Sequence, residues 1–235
     1  MRLSQADIEL IGKSILRDYV RRTTGTIRLP IDITCFAQHY LGVRIQHRRL
    51  SDKGNILGLT TYKRVNLKLA FADKNVLLSV PENTILIEER LLHPHNRKRW
   101  RFTIAHECAH QILARISDKE VGGGFRKSFA TGTPCSYREL KTPEDWSEWQ
   151  ADSLGAVLLM PKMEVLNQLH SGHKPFALTK YGDHFNSWDY TKLKRMADTF
   201  YVSLKAMELR IKKLGYLALK PKSACSEPLE IFDDS

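Results

Sequence analysis

Near the N-terminus, Ile8, Ile11, Ile15 and Tyr19 recur at helical spacing. Ser4 followed by Asp7 makes a capping-box start, so residues 5–22 are predicted to form an amphipathic helix. The segment TGTIRLP breaks it. Asp32 is placed to cap a second helix with Ile33, Phe36, Ala37 and Tyr40 inward, ending before Gly42. From Val43 to Arg90 the pattern shifts to short β-rich runs: VRIQHRRL, ILGLTTY, NLKLAF, VLLSV and TILIEERLL. Turn signals at Asp52–Asn55, Ala72–Asn75 and Pro81–Asn83 separate them, and the short connections predict a small, mostly antiparallel sheet. HPHNRKRW reads as a basic loop, and RFTIAHECAHQILARI as a helix. Residues 117–141, with Gly122–Gly124 and Thr131–Pro134, read as a loop or flap. Thr142-Pro143-Glu144-Asp145 opens a further helix that stops before Pro161, and shorter helices follow near 161–170, 188–200 and 204–214. Helices, then strands, then helices predict an α+β arrangement. Residues 1–161 are expected to form one domain and 162–235 a helical C-terminal region.

Composition narrows the classes. No apolar run among the 235 residues approaches the roughly 20 needed to span a bilayer. The polar start MRLSQADIEL does not resemble a secretory signal. Cys35, Cys108, Cys135 and Cys225 lie far apart without CxxC spacing, so free thiols and a cytoplasmic setting are expected. The net charge of +11 favours acidic partners, either nucleic acid or an acidic protein surface.

The chemistry concentrates in the HECAH of the central helix. Residues four apart lie one above the other on a helix, so His106 and His110 can present two imidazole nitrogens to one ion. Glu107, one residue along, can reach a water on that ion without ligating it. Zinc lowers the pKa of such a water towards about 7, and Glu107 is then a general base that passes the proton to a leaving amine. The bland alternative makes the pair surface or satisfied core histidines. Cys108 lies off the ligand face and is expected to be a core residue.

A catalytic zinc site needs a third protein ligand. The helix opened by Thr142 puts Glu148 and Asp152 on one face, with the small residues Ala151 and Gly155 beside them. Small residues let two helices approach closely enough to share a metal. Glu148 as ligand, with Asp152 accepting a hydrogen bond from a ligand imidazole, and a merely solvated helix face are equal readings on spacing alone. Glu144 and Asp145 are rival ligands that better serve the helix N-terminus. His170, His173 and His184 are weaker rivals. Trp146 and Trp149 flank Glu148 as expected core anchors.

Two other features carry paired readings. Arg97, Lys98, Arg99 and Arg101 can steer an acidic substrate or form a solvated loop. The C-terminal LKRMADTFYVSLKAMELRIKKLGYL suggests two helices, with Ser203 capping the second and Gly215 ending it. On the second, Leu204, Met207, Ile211 and Leu214 make an apolar stripe, with Lys205, Glu208, Arg210, Lys212 and Lys213 elsewhere. The pair is helix-turn-helix-like, either a DNA reader or a packed helical prop; ordinary helix hairpins share the spacing, which favours the prop.

RFTIAHECAH, EWQADSLGAVLLMP and VSLKAMELRIKKLG resemble, in order and spacing, the ImmA/IrrE family of metallopeptidases. IRLPIDITCFAQHYLGVRI resembles that family's N-terminal segment, and the likeness covers residues 28–216. The resemblance implies a zincin-like fold, with a small sheet packed on the HExxH helix. It implies His106, His110 and Glu148 as zinc ligands and Glu107 as catalytic acid/base. It also implies a zinc endopeptidase that cleaves a helix-turn-helix repressor or antitoxin-like regulator. Cys108 departs from the Leu common at its position, and residues 116–141 are long for the family. The substrate is expected to lie extended along an edge strand, near TILIEERLL. Tyr137, His173, Tyr181 and His184 are candidates for the oxyanion-stabilising residue. Two imidazoles and a carboxylate suit zinc, with manganese as the alternative. The rival function is a DNA-binding or toxin–antitoxin regulator with a non-catalytic metal site, whose mark is salt-dependent binding of duplex DNA.

Overall fold

A computed structural model of the protein describes residues 2–23, 25–72, 74–117, 124–129, 140–171, 177–225 and 229–230. The chain divides into two units, Met1–Ile27 with Asp32–Leu158, and Arg28–Ile31 with Leu159–Ser235. Both mix helices with short strands, so the protein is α+β.

In the first unit, helix α1 (Gln5–Arg22) begins with the expected capping box: Ser4 Oγ accepts from the Asp7 amide, and the Asp7 carboxylate accepts from the Ser4 amide. Its buried line is Ile8, Gly12, Leu16 and Tyr19, with Ile11 and Ile15 half-buried beside it. The line is rotated from the expected one because a neighbouring side chain sits over Gly12. A Cβ there would lie 2.4 Å from Val157 Cγ1. Asp32 accepts from the Thr34 and Cys35 amides and opens α2 (Ile33–Cys35), which widens into a π-helical turn, Phe36–Tyr40.

All five expected strands form: β1 (Arg44–Arg48), β2 (Ile56–Thr61), β3 (Val65–Ala70), β4 (Asn75–Val80) and β5 (Thr84–Glu88). They do not share one sheet. β3 and β4 pair as a separate hairpin, while a four-stranded sheet has the order β1-β5-β2-β6. β1 runs parallel to β5, and β2 is antiparallel to both β5 and β6. β6 (Phe125–Phe129) falls within the expected 117–141 flap; residues 118–123 and 130–139 of that flap, Cys135 and Tyr137 among them, lie outside the described residues. The TILIEERLL segment is therefore a correction: β5 is an inner strand with both edges already paired, and among the described strands β1 and β6 are the sheet edges. Its β-rich run read equally well as edge or centre, because apolar pattern reports burial of faces, not pairing of edges.

The two faces of the sheet are covered differently. Leu59 and Leu86 pack with Leu50 and with Leu67 and Val80 of the hairpin. The opposite face receives helix α3 (Arg97–Ile116), whose Gln111 donates to Thr60 Oγ1 at 2.7 Å and to the Thr61 carbonyl at 3.0 Å. α3 is a full turn longer than expected, because Arg97–Trp100 of the supposed loop are helical. No acid or side-chain cap offsets the basic first turn. Arg97 instead stacks on Trp100 at 4.9 Å, and the Trp100 indole donates to His47 at 2.9 Å. From Thr103 to Ile112 every residue of α3 is buried, which makes it the central element of the unit. Helix α4 (Pro143–Leu159) starts at the expected signal: Thr142 Oγ1 accepts from the Asp145 amide, and Asp145 accepts from the Thr142 and Lys141 amides.

The second unit contains α5 (Lys162–His170), β7 (Leu178–Tyr181), β8 (His184–Asn186), α6 (Ser187–Phe200), α7 (Leu204–Lys213), β9 (Leu217–Lys220) and β10 (Leu229–Glu230). The three helices expected here form, and four short strands that were not expected add a sheet of order β10-β8-β7-β9. Strands of two to four residues are too short to print a period-two pattern. Ser203 caps α7 by accepting from the Ala206 amide, and Gly215 follows it with φ +83°. Two polar residues of α7 are buried. Glu208 takes Lys180 at 2.8 Å, and Arg210 Nε donates to the Met160 carbonyl at 2.9 Å.

Candidate metal centre

Helical spacing sets the first half of the centre. His106 and His110 are one turn apart on α3, buried, with ring centroids 4.7 Å apart and planes at 79°. Their Nε2 atoms face each other at 3.0 Å.

Close packing of α4 on α3 sets the second half. Ala151 is fully buried, and a Cβ added to Gly155 would lie 3.1 Å from the His106 backbone nitrogen and 3.3 Å from the Ala105 carbonyl carbon. At that distance Glu148, two turns before Gly155, reaches both imidazoles. Its Oε2 is 3.3 Å from His106 Nε2, and its Oε1 is 3.3 Å from His110 Nε2. Asp152 Oδ1 lies 2.8 Å from His106 Nδ1, which turns the other ring nitrogen towards the cluster. Donor atoms around a tetrahedral zinc with bonds of about 2.0–2.1 Å stand about 3.3 Å apart. The three spacings here, 3.0, 3.3 and 3.3 Å, match that edge length. His106, His110 and Glu148 thus form a group that can hold a metal ion.

Burial and charge act together on these groups. Burial disfavours protonation of His106, but its hydrogen bonds to Asp152 and Glu148 outweigh this and push it up to about 10. His110, with no Asp152 of its own, is pushed down by burial, with help from the charges of His106 and Arg126. Burial opposes ionisation of Glu148, yet the two imidazoles hold its carboxyl well below the usual carboxylate range. Burial, and then the Glu107 charge, push the Cys108 thiol far up, so it stays a neutral core group as expected.

Glu107 is fully buried one residue from the first histidine. It fits because the strand above it carries Gly58. A Cβ at that position would lie 2.2 Å from Glu107 Oε1 and 3.0 Å from Thr103 Cγ2. Gly58 was legible in principle, since a glycine inside a strand marks a close approach. Two further residues bear on the site without any sequence signal. Burial, followed by the charges of Glu107 and Glu148, pushes the Tyr62 phenol far up, while Arg126 opposes this. Arg126 also acts on His110.

Asp145 is occupied at the start of α4, and the group formed among the described residues does not include Glu144, Asp145, His170 or His184. Tyr181 and His184 belong to the second unit. His173 and Tyr137 lie outside the described residues. Trp149 is buried and packs edge-on against Trp146 at 6.0 Å.

No protein-family model and no curated protein matches the chain. Among the described residues, no helix is long and apolar enough to cross a membrane.

Proposed function

We propose that the protein is a zinc-dependent endopeptidase of the ImmA/IrrE type, and that it cleaves a helix-turn-helix repressor or antitoxin-like regulator. One observation carries the reading: two imidazoles and a carboxylate from two helices meet at zinc-like spacing, with a buried carboxylate, Glu107, next to them in sequence. His106, His110 and Glu148 would hold a zinc ion, which would supply Lewis acidity and a water of lowered pKa.

This chain's own residues supply the rest. Asp152 orients His106 and sharpens its basicity as a ligand. Glu107 takes the proton of the attacking water and returns it to the leaving amine. Gly58 leaves the room in which that carboxylate sits. Among the described strands β6 is an edge of the sheet beside α3, and an extended substrate segment can add to such an edge through main-chain hydrogen bonds. The net charge of +11 suits an acidic regulator surface. The repressor or antitoxin as substrate rests on the family resemblance.

The test couples metal content to cleavage. The purified protein is expected to hold close to one zinc per chain, and His106→Ala to lose it. Glu107→Gln is expected to keep the zinc and lose cleavage of a helix-turn-helix regulator that the wild type cuts. Full cleavage by Glu107→Gln would remove Glu107 from the mechanism, and zinc-free wild type that still cleaves would remove the metal.

A further inference from the structure

The sheet face that looks at the metal helix carries more than the glycine above Glu107. Side chains alternate along an extended strand. Leu59 packs with the hairpin, whereas Gly58 lies over Glu107 and Thr60 accepts from Gln111 of α3. Tyr62 is two residues beyond Thr60. Its amide donates to the Gly124 carbonyl at 2.8 Å, which extends the β2–β6 ladder past Thr61. Tyr62 therefore stands on the same face as Gly58 and Thr60. Across the ladder, Arg126 is the direct partner of Thr60, and directly opposed residues of an antiparallel pair share a face. Phe125, its neighbour, packs with the hairpin on the other side. A phenol and a guanidinium thus sit side by side on the face turned to His110 and Glu107, and Arg126 is on the edge strand itself.

Among the described residues around the centre, few other groups can donate. Glu107 and Glu148 only accept. His106 has both nitrogens committed, and Gln111 is spent on β2. Resting on the peptidase reading above, we propose that Tyr62 and Arg126 are the substrate-facing donors of this centre, holding the scissile carbonyl oxygen as it becomes an oxyanion. The water oxygen bonds to the carbonyl carbon, its proton passes to Glu107, and the π pair moves onto the oxygen that the two donors meet. On collapse the C–N bond breaks and Glu107 returns the proton to the amine. Burial and the neighbouring carboxylates keep the phenol protonated, and a guanidinium is always charged, so both remain donors throughout.

A mixed peptide library, digested by the zinc-loaded protein with Glu107→Gln as the blank, supplies a cleaved peptide. A phosphinic analogue of that peptide mimics the tetrahedral oxyanion. Tyr62→Phe and Arg126→Met are each expected to lower kcat by about 10²–10³ and to weaken the phosphinic analogue by a similar factor. KM, zinc content and the thermal midpoint stay at wild-type values, and Arg126→Lys recovers part of the loss. Unchanged kcat and analogue affinity in either variant would remove that residue from the pair, with the peptidase reading intact. A rise in KM alone would overturn the oxyanion role of both. Zinc-loaded wild type that cuts nothing in the library would overturn this proposal together with the reading it rests on.

Discussion

His106 has both ring nitrogens committed, one to Asp152 at 2.8 Å and the other to the shared cluster. Removing the carboxylate in Asp152→Asn is expected to weaken zinc about 10- to 100-fold, as read by competition with a chromogenic chelator. The same contacts set a pH dependence for protein stripped of metal. His106 is held up to about 10, above its ordinary 6.5. Its contribution to stability is thus complete below pH 6.5 and is lost as pH rises towards 10. Glu148 is held below its ordinary 4.5, so its contribution is present above pH 4.5 and is lost as pH falls further. His110 is held below its ordinary 6.5, so its burial costs stability as pH falls beneath that value, and stripped protein is therefore expected to have its highest urea midpoint near pH 6.5. Midpoints that keep rising through pH 8 would contradict the assignment. Zinc must displace the His106 proton, so its affinity should climb with pH until His106 loses that proton near 10.

At the scale of elements, the centre depends on how near α4 comes to α3. Gly155 allows 3.1–3.3 Å contacts to backbone atoms of Ala105 and His106, and backbone does not yield as a side-chain tip does. Gly155→Ala is expected to cost about 1–3 kcal/mol of stability and to lower zinc affinity, because Glu148 moves outward with the helix. Denaturant unfolding and zinc titration of the variant check both effects. Wild-type values in both would show that the helices have slack. Helix α7 illustrates a limit on reading faces from sequence. Its expected apolar stripe at Met207 and Ile211 is buried, but so are Glu208 and Arg210. The helix has neighbours on more than one side, which fits a packed prop better than a recognition helix lying open for DNA.

Over the whole molecule, the metal would tie together helices from Arg97–Ile116 and Pro143–Leu159. A ligand bound only by the folded chain stabilises it by about 2.7 kcal/mol at 100 times its Kd. Zinc is expected to raise the thermal midpoint and a chelator to reverse the rise, as followed by circular dichroism. An identical midpoint with zinc and with chelator would show that the centre does not hold the ion. The fold class was readable from the order of helical and β-rich runs, and so were α1, α3, α4 and five strands. The strand partners were not. Parallel pairing of β1 with β5, and the split of the hairpin from the main sheet, depend on which faces meet in space.

What the sequence determined by itself was local. Helical periodicity alone stacks His106 on His110 and places Glu107 beside them, and Thr142 with Asp145 starts the helix that carries Glu148 and Asp152. These follow from spacing of four residues and from cap chemistry, which act over one turn. The tertiary structure decided the rest: that Glu148 reaches both imidazoles, that Gly58 opens the space for Glu107, and that Tyr62 and Arg126 share the face above them. Each of these depends on the separation of packed elements or on strand register, quantities that no short stretch of chain contains.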